Sequence, residues 1–300
     1  MKKTTRFKEL ILAPEILLIP AVPDAYTARL AQAAGFDAIA RGGITGIEIL
    51  GQPDVDLETL TELADWTQKI ADVVDIPVFA DGDTGHGNVT NVVRTVQLFE
   101  RAGAGGMFIE DQVSPKRCGH TAGKQVIEIA EMAAKLKAAT DARIDPDFMV
   151  MARVDAIAVN GLEDAIRRGH IFREAGADML LIEAPEHVDD MKRIVREIDA
   201  PHMVEIVLGG KTPVLTPEQL QDIGYSSVVY PAAVAQVLAK TAETFLAALK
   251  ANPDLKAFAD IQMDFGEYFS KAGLDEVRAK EARYTEEGQA VVDEYDEANN

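Results

Sequence analysis

The 300-residue chain is predicted to fold as an α/β protein, a (β/α)₈ barrel of the TIM type with extra helices at its C-terminal end. Short runs rich in Val, Ile, Leu, Phe and Met recur eight times. They alternate with stretches whose apolar residues recur every three or four positions. Runs that are apolar throughout are typical of parallel strands covered on both faces, and eight strand–helix units within about 230 residues fit a closed barrel. A doubly wound open sheet is the alternative fold.

The predicted elements follow one another from the N-terminus as strand, helix and strand. The strands cover residues 16–22, 36–40, 76–83, 105–111, 148–155, 178–185, 202–207 and 226–231. The helices between them cover residues 24–35, 57–74, 89–104, 131–140, 163–178 and 189–198. Three Ala-Gly pairs stand just before strands, where glycine is typical of a helix C-terminus. These pairs are Ala34-Gly35, Ala102-Gly103 and Ala175-Gly176.

The C-terminal part of the chain has a different pattern, because only helical periodicity continues after residue 231. No Gly/Ser-rich linker separates this part from the rest. We therefore expect a single barrel domain over residues 1–300, with a helical extension from about residue 232 to 300. These helices exceed what one barrel needs, and they are candidates for packing on a partner subunit.

Composition excludes several classes of protein. Lys and Arg total 30 against 50 Asp and Glu, which gives a formal net charge of −20 and argues against nucleic acid and anionic membranes as partners. No apolar stretch approaches the roughly 18 residues that a membrane helix needs. A single cysteine fits a reducing compartment, so we expect a cytoplasmic protein.

Charged residues cluster at the ends of the predicted strands, where the reactive groups of a (β/α)₈ barrel lie. They include Asp81, Asp83, Glu110, Arg153, Glu183 and Glu205. Asp81 and Asp83 share one face of their strand, and Glu110 ends the next one, so together they offer the oxygen ligands that Mg²⁺ prefers. The alternative is that single acids cap the next helix or pair with Arg153. Acids on consecutive strands favour the metal site.

The segment after the fourth strand, residues 110–124, is rich in reactive side chains and poor in apolar ones, which favours a lid over a spacer. Cys118 lies between Lys116, Arg117 and His120. Neighbouring cations lower the pKa of a thiol, so we expect a thiolate or a readily exchanged proton at this position. The alternative is a cysteine that only packs as a small apolar residue.

Several of these motifs together resemble the isocitrate lyase and phosphoenolpyruvate mutase superfamily. They are the stretches ADGDTGHGN, FIEDQVSPKRCGH with Lys124 behind it, MARVDA, and the strand end at Glu183. The similarity runs from about residue 6 to 270. Within it, the segment from Lys116 to His120 is similar to that of the carbon–carbon lyases, such as methylisocitrate lyase and dimethylmalate lyase.

This resemblance implies a barrel that forms a homotetramer by exchanging C-terminal helices, and Mg²⁺, or alternatively Mn²⁺, at Asp81, Asp83 and Glu110. It also implies a small carboxylic-acid substrate and a mobile loop that carries Cys118. The residues expected to act in catalysis are Lys116, Cys118, His120 and Arg153. Those expected to bind substrate are Arg41, Gly42, Gly43, Gly119, Arg153, Glu183 and Glu205.

The function that this resemblance implies is magnesium-dependent retro-aldol cleavage of a dimethylmalate- or methylisocitrate-like 2-hydroxy di-acid to a 2-keto acid and a carboxylate. A metal stabilises the alkoxide side of such a cleavage, and a thiol can protonate the other fragment. A decarboxylase or hydrolase of oxaloacetate-type keto acids is the alternative enzyme, and a metabolite-binding barrel without turnover is the alternative of another class.

Five positions depart from the lyase pattern and bear on the substrate. Gln236 and Asp264 stand where methylisocitrate lyases have two arginines that bind the other carboxylates of the substrate. Ile39 and Arg41 stand where methylisocitrate lyases have Tyr and Ser, and Glu205 stands where they have Asn. Arg41 would contact a carboxylate of the substrate or pair with Glu205 or Glu48. An acid at Glu205 disfavours a tricarboxylic substrate.

Overall fold

The computed structural model describes residues 1–42 and 46–299, and Met1–Ala242 form its first compact unit. Eight parallel strands make one sheet in the order β1-β8-β7-β6-β5-β4-β3-β2. A parallel bridge between Ala21 and Ala40 joins the two outer strands, so the sheet forms a nearly closed barrel. The predicted (β/α)₈ barrel is confirmed, and the alternative of an open doubly wound sheet is wrong. The strands are β1 (Leu17–Pro20), β2 (Ile39–Arg41), β3 (Val78–Asp81), β4 (Gly106–Glu110), β5 (Met149–Val154), β6 (Met179–Ile182), β7 (His202–Glu205) and β8 (Ser227–Tyr230).

The six predicted helices all form, and the structure adds others that the pattern did not predict. The helices of the first unit are α1 (Lys3–Leu12), α2 (Ala25–Ala33), α3 (Gly46–Leu50), α4 (Leu60–Ala71), α5 (Val89–Arg101), α6 (Ile129–Ala142), α7 (Ile157–Asn160), α8 (Leu162–Glu174), α9 (Val188–Glu197) and α10 (Pro217–Ile223). Helix α11 (Ala233–Ala251) begins in this unit. Side-chain caps fix several of the starts; for example, Asp24 accepts a bond from the backbone N–H of Thr27 at 2.8 Å.

The interior of the barrel is filled by alternate strand residues, because successive side chains of a strand point to opposite faces. One buried cluster joins Ala40 of β2, Phe79 of β3 and Phe108 of β4. Phe7 and Ile11 of α1 belong to the same cluster, and the ring of Phe7 stacks on that of Phe79 with centroids 5.1 Å apart. The apolar layers therefore leave only the strand ends for polar side chains.

The second compact unit is Glu243–Asn300. It holds the rest of α11, a 3-10 helix (Leu255–Ile261), α12 (Phe265–Lys271) and α13 (Leu274–Asn299). Phe245 and Phe258 pack edge to face within it, with centroids 5.3 Å apart. Among the described helices of the whole chain, none is long and apolar enough to cross a membrane.

Candidate active site

A cavity of about 110 Å³ lies at the carboxyl ends of the strands. Its polar lining brings together residues from β2, β3, β5, β7, the segment between α3 and α4, and the loop after β4. These polar residues are Arg41, Asp54, Asp81, Lys116, Cys118, His120, Arg153 and Glu205. The rest of the wall is mostly apolar and includes Phe79, Phe108, Met203, Val207 and Val229. A small, largely apolar cavity with a few convergent charges is typical of a site for a small acid.

Arg153 lies at the centre of the charged groups. Its Nε donates to Asp155 Oδ2 at 2.9 Å and lies 3.3 Å from Glu110 Oε2. Its terminal nitrogens lie 3.5 Å from Glu183 Oε1 and 3.8 Å from Glu205 Oε1. Burial works to lower the pKa of Arg153, but these carboxylates raise it well above its usual value. The guanidinium is therefore a fixed cation that can face an anionic substrate.

A second charged group surrounds Lys116, whose ammonium is buried. It pairs with Asp83 Oδ1 at 3.0 Å and with Asp54. The backbone N–H of Asp83 donates to Asp81 Oδ1 at 2.8 Å, and Asp81 lines the cavity. Burial is the main cause that raises the pKa of Asp83 to about 7, and the charge of Asp81 adds to it. Sequence reasoning missed Asp54, whose only signal is an acidic residue in the polar segment after β2.

The predicted metal trio of Asp81, Asp83 and Glu110 does not gather as a ready set of ligands. Asp83 faces Lys116, and the side chain of Glu110 is held by Arg153 and by the amide of Gln112, the latter at 3.1 Å. Among the described residues, the set of three with ligand atoms all within 4.8 Å of one another is His120, Glu183 and Glu205.

The position of Arg153 distinguishes the two acidic clusters as candidate metal sites. Its guanidinium already lies between Glu183 and Glu205, so that set has its cation within the protein. Asp81 instead lies at the cavity wall next to Gly42. A Cβ atom at position 42 would lie 3.8 Å from Asp81 Oδ2. Mg²⁺ commonly uses one or two carboxylates and keeps several waters. The acidic residues around Asp81 therefore fit an ion that keeps several waters better than an ion whose ligands all come from the protein.

The predicted lid is a folded loop closed at its base. Gln112 and Val126 form an antiparallel bridge, and the backbone N–H of Val113 donates to the carbonyl of Gln125 at 2.9 Å. The amide of Gln112 also donates to the carbonyl of Arg117 at 2.8 Å and accepts from its N–H at 3.1 Å. These bonds hold the segment that carries Cys118 over the cavity.

The thiol of Cys118 is half-buried at the cavity wall, and the prediction that neighbouring cations lower its pKa is wrong. Burial raises the pKa of Cys118, the charge of Asp54 raises it further, and Arg153 opposes this only in part. Lys116 stands two residues before Cys118 in the sequence, but its ammonium faces carboxylates. The group is therefore a protonated thiol near neutral pH, which suits an acid rather than a nucleophile.

Gly119 and His120 bring the loop against the strand ends. A Cβ on Gly119 would overlap Glu183 and Arg153, so only glycine allows this approach. Nδ1 of His120 accepts from the backbone N–H of Lys211 at 3.3 Å, and its Nε2 lies 3.7 Å from Glu183 Oε1. Burial lowers the pKa of His120, so the ring is neutral at pH 7 and carries its proton on Nε2.

Arg41 has a different partner from those that the sequence predicts. Its buried guanidinium donates to Glu58 at 3.0 Å and lies 4.9 Å from the ring centre of Trp66, so pairing with Glu205 or Glu48 is wrong. The reason is strand alternation: Ala40 packs in the buried cluster inside the barrel, and the side chain of Arg41 leaves the opposite face of β2. Arg41 still borders the cavity, but its guanidinium reaches Glu58 and Trp66. Ile39 packs in a separate cluster between strands and helices. Gly43 lies outside the described residues.

Comparison with known proteins places the chain in a family. Residues 7–250 match the family described as phosphoenolpyruvate phosphomutase. The chain belongs to this family. The predicted superfamily resemblance is therefore confirmed.

The relatives of the chain include carbon–carbon lyases over almost its whole length. A 2,3-dimethylmalate lyase of Eubacterium barkeri is 39% identical over 95% of this chain and 99% of its own. A 2-methylisocitrate lyase of Aeropyrum pernix is 35% identical over 95% of this chain and 92% of its own. The predicted enzyme class, a carbon–carbon lyase, is confirmed.

A solved structure of the same fold adds a ligand and a metal. A phosphonopyruvate hydrolase in complex with oxalate and Mg²⁺ superposes with a TM-score of 0.86 at 28% identity, covering 95% of this chain and 99% of that one. Oxalate is a small di-acid, and the cavity of the present chain lies at the carboxyl ends of the strands.

Proposed function

We propose that the protein is a magnesium-dependent lyase that splits a small 2-hydroxy di-acid of the dimethylmalate type into a 2-keto acid and a carboxylic acid. One observation carries the proposal: the thiol of Cys118, the guanidinium of Arg153 and the carboxylate of Asp81 line the same cavity. An acid, an anion-binding cation and a metal-binding carboxylate are the three groups that retro-aldol cleavage of such a substrate requires.

Different residues of the cavity bind the substrate carboxylate, hold the metal ion and position its ligands. Arg153 and the backbone at Gly42 and Gly119 bind a substrate carboxylate. Asp81, supported by Asp83 and Glu110, holds Mg²⁺ or Mn²⁺, which supplies Lewis-acid stabilisation of the substrate oxygens when bound. Lys116 fixes the neighbouring carboxylates in place, because its ammonium bridges Asp83 and Asp54. This assignment follows from the cavity lining and from the ion pairs around it.

Groups of the cavity supply and accept the protons that the cleavage requires. The substrate hydroxyl gives its proton to a carboxylate of the wall, and the bond between the hydroxyl carbon and its neighbour breaks. The carbon that bore the hydroxyl becomes a keto group, and the electron pair passes to the departing carboxylate fragment. The thiol of Cys118 gives its proton to that fragment and regains one when the loop opens to solvent. His120 holds the loop beside the reacting atoms.

The walls of the cavity favour a substrate with methyl groups and few distal charges. Phe79, Phe108 and Met203 offer apolar surface. Glu205 faces the same space and offers no cation to a third carboxylate. The guanidinium of Arg153 is already shared between Glu205 and Glu183. A dicarboxylic acid is therefore preferred to a tricarboxylic one.

The proposal includes a cytoplasmic homotetramer that exchanges its C-terminal helices, as the family resemblance implies. Size-exclusion chromatography with light scattering tests the mass, which is four times 32.5 kDa for a tetramer. A monomer in solution would remove this part of the proposal.

The experiment that tests the function is a substrate panel with Mg²⁺ and with EDTA. We expect keto-acid release from 2,3-dimethylmalate, slower release from 2-methylisocitrate, and no activity in EDTA or in Asp81→Asn. Consumption of oxaloacetate alone would favour the hydrolase or decarboxylase alternative. Saturable binding of the di-acids without turnover would favour a metabolite-binding barrel.

A further inference from the structure

Lys124 lies at the foot of the lid, and its ammonium is buried. The side chain is 1% exposed and faces Asp155, whose side chain is 0% exposed. Its Nζ donates to Asp155 Oδ1 at 2.8 Å and to the carbonyl of Gly119 at 2.6 Å. A buried ammonium is unfavourable unless its protons are used in this way. The side chain therefore ties the middle of the lid to the end of β5.

Asp155 offers Lys124 a rigid anchor. Its second oxygen accepts from Arg153 Nε at 2.9 Å, and its backbone N–H donates to Asp111 Oδ1 at 2.7 Å. Burial works to raise the pKa of Asp155, but Arg153 and Lys124 together lower it, so the carboxylate stays charged. One carboxylate thus holds both the substrate-binding guanidinium and the lysine that holds the lid.

The bond to Gly119 also determines where the thiol points. Cys118 directly precedes Gly119, and its own carbonyl accepts from the N–H of Thr121 at 2.9 Å and from the Thr121 hydroxyl at 2.7 Å. The residues from 118 to 121 therefore form a tight turn, and a shift of the Gly119 carbonyl carries Cys118 with it. Arg153 lies against the same turn, because a Cβ on Gly119 would overlap its guanidinium.

We propose that Lys124 is a positioning residue for the reaction: through Asp155 and the Gly119 carbonyl it holds the Cys118 thiol at the cavity beside Arg153. The part of this inference that concerns catalysis rests on the proposed function, in which the thiol is the proton donor. The part that concerns the position of the thiol does not.

The test compares Lys124→Met with Lys137→Met as the matched control. Lys137 is an exposed lysine whose recorded partner is Asp141, four residues away at 3.2 Å. Cys118 is the only cysteine of the chain, so the alkylation rate with iodoacetamide reports on this thiol alone. Turnover of the 2-hydroxy di-acid is measured on the same samples, with kcat and KM determined separately.

For Lys124→Met we expect alkylation at least about tenfold faster and kcat at least about tenfold lower, the effect of losing one charge-assisted hydrogen bond. KM should change less than about threefold, because Arg153 keeps its bond to Asp155. The limiting alkylation rate at high pH, where the thiol is fully ionised, should rise as well, which separates a more exposed thiol from one that is only more acidic. Lys137→Met should match the parent in every measurement.

Alkylation and kcat equal to those of the parent in folded Lys124→Met would overturn the proposal. A purely structural ion pair would lower the thermal midpoint and leave both of these quantities unchanged. If Lys124→Met does not fold, Lys124→Gln, which retains an amide donor, decides by the same criteria. If the parent shows no lyase turnover while alkylation responds as expected, the proposed function fails and the positioning of the thiol stands.

Discussion

Replacing Cys118 by serine tests the proton-donor role with the smallest change in shape. The hydroxyl is smaller than the thiol, and the turn is held by main-chain groups, namely the carbonyls of Cys118 and Gly119. The fold and substrate binding should therefore persist, with KM within about threefold of the parent. The effect should fall on kcat.

The magnitude follows from the acidity of the two groups. A hydroxyl is a weaker acid than an ordinary thiol by roughly six pKa units, and burial raises the pKa of Cys118, so the difference at this site is smaller. With the proton about half transferred in the transition state, the barrier rises by up to about 4 kcal/mol, or up to roughly 1000-fold in rate. The assay is steady-state release of keto acid from the di-acid, with Cys118→Ala as the matched variant that has no donor.

Two results would refute this reasoning. Serine activity within about tenfold of the parent would show that the thiol donates no proton in the slow step. A large rise in KM with unchanged kcat would assign Cys118 to substrate binding instead.

Three further predictions concern the same region. Gly119→Ala should fold but lose at least about tenfold in kcat, because its methyl group overlaps Glu183; a parental kcat would show that the loop approaches differently. The alkylation rate of Cys118 should reach half its maximum at a higher pH than that of a free cysteine, because a raised pKa shifts thiolate formation to higher pH. A midpoint below that of a free cysteine would instead support the sequence-based prediction of a thiolate. Arg168→Met should lower the free energy of unfolding, measured in urea, by about 3–5 kcal/mol at pH 8. The reason is that the buried Asp111 carboxylate loses the guanidinium that donates to it at 3.0 Å. The loss should be smaller at pH 6, because burial already raises the pKa of Asp111 to about 7 and protonation then removes the stranded charge; equal losses at both pH values would contradict this.

The strands of the barrel were predictable because burial on both faces leaves continuous apolar runs in the sequence. Helix α1 was missed because only Phe7 and Ile11, with Thr4, are buried along its ten residues, which is a weak periodic signal. Its apolar residues are needed only where they join the buried cluster that contains Phe79.

The site was predictable in its residue types but less so in its pairings. Strand alternation would have placed Arg41 and Ala40 on opposite faces, yet the partner Glu58 lies 17 residues away, at the start of the predicted helix over residues 57–74, and no sequence pattern links it to Arg41. The acidity of Cys118 was predicted from neighbours in sequence, whereas burial and Asp54 determine it in space. Lys124 stood in the predicted lid, but nothing in its local sequence indicates the bond to Asp155.

The measurement that tests the central claim most directly is cleavage of 2,3-dimethylmalate with Mg²⁺ in D₂O, followed by NMR. The account predicts that a 2-keto acid and a carboxylic acid appear in equal amounts, with one solvent-derived deuterium on the carbon that was cleaved from the keto fragment. Intact dimethylmalate under conditions in which the same enzyme consumes oxaloacetate would contradict it.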